Sequence, residues 1–141
     1  MQSACLDKEK ISLAVGLMSG TSLDGIDAAL LATDGETFVK AKDFISFPYS
    51  ALFRRKLRSV LGGNGPIPEI ERQITELHTK AVKLLLKKSG VSNKKVRVVG
   101  FHGHTISHQP QLKKTWQIGD GSLLARQTGI DVIFDFRSND V

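Results

Sequence analysis

Apolar and polar positions change period along this chain, and each change marks an element. Residues Ile11–Ser19 are apolar and rich in strand formers, and Ile26–Thr33 is a second apolar run. Thr37–Phe47 then alternates around Phe38, Phe44, Ile45 and Phe47. Asp24-Gly25 and Asp34-Gly35 lie between these runs, and Asp-Gly is a strong hairpin signal. The two strands flanking the first turn read as buried on both faces, as central strands are. A helical period takes over after Pro48, with Ser50 as N-cap and an apolar stripe of Phe53, Leu57, Val60 and Leu61 that ends at Gly62-Gly63. Ile70, Ile74, Leu77, Ala81, Leu84 and Leu85 recur at helical spacing up to Gly90. Val96–Phe101 reads as a buried strand and Thr115–Ile118 as a short one. Ser122–Gln127 reads as a helix capped by Ser122 and stopped at Gly129, and Ile130–Phe136 as the last strand.

A meander of strands followed by alternating helix and strand predicts an α/β domain with a mixed sheet. The order resembles a ribonuclease-H-like domain, the unit that actin and sugar kinases use in pairs. Asp135–Val141 leaves the last strand without a closing helix or a polar tail, where a fold of that type should continue, so the expectation is an incomplete domain: residues 1–10 as an N-terminal extension and 11–141 as a first lobe, truncated before the second.

Composition adds limits. At 141 residues, 40% hydrophobic and 24% charged, the chain is an ordinary globular domain without room for a second. One cysteine, Cys5, excludes an internal disulfide framework and suits a reducing compartment. No apolar run approaches the roughly 20 residues of a spanning helix, and the first residues lack a basic signal-peptide start, so the expected location is cytoplasmic with no membrane partner. The net charge of +6 comes from clusters at Arg54–Arg58, Lys80–Lys88 and Lys94–Arg97 on helix faces and loops. No aromatics are interleaved there for base stacking, so nucleic acid is not an expected partner.

Chemistry concentrates at three places. In Gly16–Asp27 the turn Gly20-Thr21-Ser22-Leu23-Asp24-Gly25-Ile26-Asp27 suits phosphate. Gly20 and Gly25 permit close approach and positive φ, and amides around Thr21 and Ser22 can form an anion-binding nest. Asp24 and Asp27 would repel bare phosphate, so they fit Mg²⁺ or a structural role in a plain polar hairpin. At the end of the strand through Phe101, His102 and His104 share a face if the chain stays extended, which leaves a zinc hydrolase open beside simple hydrogen bonding to a polar ligand. The third place joins Trp116–Ser122 to Asp135–Ser138, where Asp120 or Ser122 can cap a helix and Arg137 can pair with an anion.

Together, Gly16–Asp27, Gly100–Pro110 and Gln117–Val141 resemble the anhydro-N-acetylmuramic acid kinase family of the actin-like sugar kinase superfamily. The resemblance implies two lobes closing on ATP with Mg²⁺, and phosphorylation of 1,6-anhydro-N-acetylmuramic acid with opening of the anhydro ring. The product would be N-acetylmuramic acid 6-phosphate, in peptidoglycan recycling. It implies an ATP loop of Gly20, Thr21, Ser22, Leu23, Asp24, Gly25, Ile26 and Asp27, sugar contacts from His102, Gly103, Thr105, Asp120 and Arg137, and a homodimer as the full-length assembly; no residue is assigned as a metal ligand. Two departures stand out. The family's His-Gly-Gln-Thr reads His102-Gly103-His104-Thr105 here, and the aspartate that activates water lies in an Asp-Thr-Gly-Pro-Gly-Asn stretch downstream of Val141. The expectation is therefore little or no turnover from this chain alone, the alternative being a non-catalytic phosphate- or nucleotide-binding remnant.

Overall fold

In the computed structural model, the described residues are 11–20, 22–109 and 114–134, without the side chains of 107–109 and 114–116. The proposed extension 1–10, Thr21, and the segment from Asp135 through Arg137 to Val141 lie outside them. Among the described residues the main sheet has five strands, running across it in the order Val39–Pro48, Gly25–Thr33, Ser12–Ser19, Val96–Phe101 and Val132–Phe134. Strands β1 (Ser12–Ser19), β2 (Gly25–Thr33) and β3 (Val39–Pro48) form the antiparallel meander. Strand β4 (Val96–Phe101) runs parallel to β1, and β7 (Val132–Phe134) runs parallel to β4. Between them β5 (His104–Gln109) and β6 (Lys114–Ile118) make a separate antiparallel ribbon. The mixed α/β class matches the sequence reading, which has no strand at β5.

Helices α1 (Ala51–Ser59) and α2 (Ile67–Ser89) connect β3 to β4, and α3 (Gly121–Thr128) connects β6 to β7. Ser50 caps α1 by accepting the Phe53 amide at 3.1 Å. Gly90, at φ 68°, closes α2 in the left-handed conformation that glycine adopts without a Cβ penalty. The cap of α3 is Asp120, whose Oδ1 accepts from the Leu123 amide at 3.0 Å; Ser122 sits inside the first turn instead. A carboxylate there also faces the positive end of the helix dipole.

The α2 stripe buries Ile70, Ile74, Ala81 and Leu85 as expected, but Leu84 is exposed while His78, Val82 and Leu86 are buried. A longer helix than the stripe requires turns its face slightly, so the i+4 and i+8 partners win over Leu84. In α1 the buried positions are Phe53 and Leu57, with Val60 at the C-cap and Leu61 largely exposed. Burying each such apolar side chain contributes about 1.5–3 kcal/mol.

Two strand expectations need correction. Strands β1 and β2 are covered on one face only: Val15, Leu17, Ile26, Ala28 and Leu30 pack into the core. The opposite face, where Phe44, Ala29, Gly16, Gly100 and Ile133 lie in register, leaves Phe44 and Ile133 exposed among the described residues. The Asp34-Gly35 turn is also wider than two residues. The Asp34 carboxylate accepts the amides of Glu36, Thr37 and Phe38, and Val39 rather than Thr37 begins β3.

His78 on α2 is the buried group with the clearest cost. Its Nδ1–H donates to the Ile74 carbonyl at 2.7 Å, its ring packs on Phe101 at 4.8 Å, and Nε2 is buried without a partner among the described residues. Burial pushes its pKa down to about 4, against the Ile74 hydrogen bond and with nearby His104 adding to the fall. The unfolded chain takes up this proton near pH 6.5 and the folded chain only near pH 4, so stability is complete above pH 6.5 and is lost as pH falls toward 4. The loss attributable to His78 should reach about 3 kcal/mol. Urea unfolding followed across this range should show the decline, and His78→Leu should flatten much of it.

Candidate functional site

Because β1, β4 and β7 are parallel, their C-terminal ends share one edge of the sheet, where ligands gather in open α/β folds. The β1–β2 loop leaves β1 at Ser19, and its far end is drawn against the end of β3. The Tyr49 amide donates to the Asp24 carbonyl at 2.9 Å, and the Leu23 amide donates to the Gly20 carbonyl at 3.1 Å. A Cβ on Gly25 would collide with the Phe47 carbonyl oxygen and lie 2.7 Å from Pro48 Cα. Gly25 is therefore required for close approach of two backbones. Neither Gly20 nor Gly25 takes the positive φ expected of it; Leu23 does, at 63°. Its buried side chain anchors the loop, while Ser22 and Asp24 are exposed.

The acidic pair divides. Asp24 is exposed in the loop, whereas Asp27 lies in β2 and accepts a hydrogen bond from Ser46 Oγ at 2.9 Å. These are hard oxygen donors of the kind Mg²⁺ takes, next to a loop with an exposed serine, so the residue types fit a magnesium-nucleotide.

Beside this loop, β4 ends at Phe101 and the chain turns sharply at Gly103, φ 76°. That turn separates His102 from His104, so the two imidazoles do not sit on one extended strand. His102 lies at the end of β4, with its Nε2 3.3 Å from Gln117 Nε2, and is half-buried. His104 opens β5, fully buried, with Nδ1 2.8 Å from Ser19 Oγ. The premise of the paired-histidine zinc reading fails here, and no cluster of three metal-binding side chains occurs among the described residues. Thr105 follows in β5 opposite Gln117, half-buried.

The third stretch folds onto the same edge through glycine. A Cβ on Gly103 would lie 2.6 Å from the Ile118 carbonyl oxygen, and one on Gly119 would meet Phe101 at 2.7 Å. Residues that the sequence reading did not single out hold this turn: Glu71 Oε2 accepts the Gly119 amide and Thr75 Oγ1 accepts the Asp120 amide, both at 2.9 Å. The signal was the polar i, i+4 spacing of Glu71, Thr75 and Thr79 beside the apolar stripe of α2. Asp120 thus has its amide and one carboxylate oxygen engaged in structure. An open cleft of about 720 Å³ adjoins it, lined by Glu71, Gly119, Asp120, Ser122, Asp131 and Phe134 among others. His102 and Thr105 lie against Gln117 and Gly103 against Ile118, whereas the cleft beside Asp120 is lined by none of these three; Arg137 lies outside the described residues.

A mixed sheet opened by a three-stranded meander, with a polar β1–β2 loop at the C-terminal edge, defines an actin- and sugar-kinase-type N-terminal domain. Residues 12–141 match the family model for anhydro-N-acetylmuramic acid kinase, and the chain belongs to that family. Among curated relatives, anhydro-N-acetylmuramic acid kinase of Paramagnetospirillum magneticum is 53% identical over 129 residues, covering 92% of this chain and 36% of the relative. The proteins of the same name from Zymomonas mobilis and Rhizobium etli are 50% and 43% identical, covering 92% and 93% of this chain. The chain spans 36–39% of the length of these relatives.

Replacing Gly25 by alanine should cost about 2–3 kcal/mol, because the obstacle is backbone rather than a movable side chain. Urea unfolding of Gly25→Ala against the unaltered chain measures it. By contrast Gly35→Ala, where no atom lies within 4 Å of the added carbon, should cost only what its φ of 82° imposes.

Proposed function

We propose that this chain is the N-terminal part of an ATP-dependent kinase that opens 1,6-anhydro-N-acetylmuramic acid and phosphorylates it at O6. The observation that carries the reading is the pairing of family membership with the loop geometry: the match over residues 12–141 includes the loop drawn tight by Gly25, Leu23 and Tyr49 at the sheet edge. In the proposed reaction water adds at C1, the anhydro bridge oxygen becomes the O6 that takes the γ-phosphoryl group, and ADP leaves. The product is the 6-phosphate of N-acetylmuramic acid, placing the enzyme in peptidoglycan recycling in the cytoplasm.

Each residue then has a task. Gly20–Asp27 receives the phosphates of ATP, with main-chain amides and the Ser22 hydroxyl as donors and Asp24 toward the Mg²⁺ that offsets phosphate charge. The half-buried His102 and Thr105, with Gly103, Asp120 and Arg137, contact the sugar. The glycine turns bring backbone donors and acceptors close to it, and the packed Phe101–Phe134 pair, 5.0 Å between centroids, gives that edge an apolar floor. Residues 11–141 form the first lobe, with 1–10 as an extension. Such transfer depends on positioning and on closing water out, so turnover calls on residues beyond those in this chain, including the aspartate that activates water and a second lobe. The full-length assembly is read as a homodimer. No helix among the described residues is long and apolar enough to cross a membrane.

Calorimetric titration with Mg·ATP tests the loop. Binding should be measurable for the chain and fall at least about tenfold in Ser22→Leu, the equivalent of about 1.4 kcal/mol. Unchanged affinity in a folded variant overturns the assignment. An ATP-coupled assay with the anhydro sugar should show turnover by the chain alone at least about 10²-fold below a full-length relative, the least that losing an activating base should remove.

A further inference from the structure

Ser19, the last residue of β1, sits where three elements meet under complete burial. Its Oγ lies 2.6 Å from the Tyr49 hydroxyl and 2.8 Å from His104 Nδ1. Ser19, Tyr49 and His104 are 3%, 4% and 0% exposed, so water supplies none of these hydrogen bonds. Tyr49 follows β3 and holds the β1–β2 loop twice: by its hydroxyl at Ser19, just before the loop, and by its amide at the Asp24 carbonyl, at the loop's far end. The phenol ring is itself fixed against Phe53 of α1, 5.1 Å between centroids. His104 approaches from the other side and opens β5, the strand that continues into Thr105. Nothing else among the described residues ties β1, β3 and β5 together by side-chain hydrogen bonds.

We propose that Tyr49 and His104 are positioning residues that preset the β1–β2 loop for phosphate through Ser19, and that His104 links the order of this loop to the strand carrying Thr105. The proposal rests on the nucleotide reading of the loop. The chemistry favours a neutral imidazole in this role. Its Nδ1 is committed to the serine, and its Nε2 is buried with no partner among the described residues, so a second N–H would have nothing there to receive it. Burial holds the His104 pKa below its ordinary value, with hydrogen bonding at Ser19 opposing and nearby His102 adding to the fall. A glutamine at this place can also offer one polar atom to Ser19 without ever charging, which makes His104→Gln the conservative exchange.

The test uses the full chain with two independent readouts. Amide hydrogen exchange at Gly20, Ser22, Leu23 and Gly25 reports loop order without any ligand, and calorimetric titration with Mg·ATP reports the consequence. Tyr49→Phe keeps the ring on Phe53 and removes only the hydroxyl; His104→Leu keeps the bulk and removes the nitrogen. Both should speed exchange in the loop and weaken ATP at least about fivefold, the order expected when a buried hydrogen bond is broken. His104→Gln should restore exchange and affinity to within about threefold of the unaltered chain, which a purely space-filling role for the imidazole does not foretell. If Tyr49→Phe, folded with unchanged near-ultraviolet circular dichroism, leaves loop exchange as it was, the positioning role is wrong. Should the unaltered chain fail to bind ATP while Tyr49→Phe still loosens the loop, the positioning role stands and the nucleotide reading falls instead.

Discussion

The parallel pairing of β1 with β4 is the constraint on which the rest depends. Its register sets Leu17 opposite Phe101, so β1 and β4 finish side by side. The loop after Ser19 and the turn through His102 and Gly103 therefore occupy one edge although more than eighty residues separate them. A parallel pair cannot be closed by a tight turn; it needs a crossover, which the chain makes through α1 and α2. The crossover in turn supplies the face that buries Leu57, Ile74 and Leu85 against the sheet. Site and core are thus consequences of the same pairing.

Close backbone approach is the second theme. Gly25 against the end of β3, Gly103 against Ile118 and Gly119 against Phe101 are positions where one added carbon has no room. They lie at the edge where phosphate and sugar groups are proposed to sit. Polar backbone can approach a ligand closely only where side chains do not stand in the way. The buried polar groups are organised to the same end. Glu71 and Thr75 reach out of α2 to hold the turn before α3, and the Ser19 junction holds the loop before β2. Such networks are specific because every unmade bond in them is costly.

The open face of the sheet contrasts with this edge. Phe44 and Ile133 flank a row of Ala29, Gly16 and Gly100 that the described helices leave uncovered. The alternation of strand residues accounts for it: the positions facing α1 and α2 are large and apolar, and those facing away are small through the centre.

Periodicity by itself determined the meander, the two crossover helices, the Ser50 cap, the Gly90 and Gly129 stops and the α/β class, because these are set by residues within a turn or two of one another. The motif text likewise marked the loop, the His102 stretch and the Asp120 turn. Only tertiary structure decided that Leu23 rather than a glycine takes the positive φ, that Asp120 rather than Ser122 caps α3, and that Leu84 stays in water. It alone separated His102 from His104 and joined His104 to Ser19 and Tyr49. Hydrogen bonds between residues thirty or eighty-five positions apart leave no local pattern to read, since their geometry exists only once the sheet has closed.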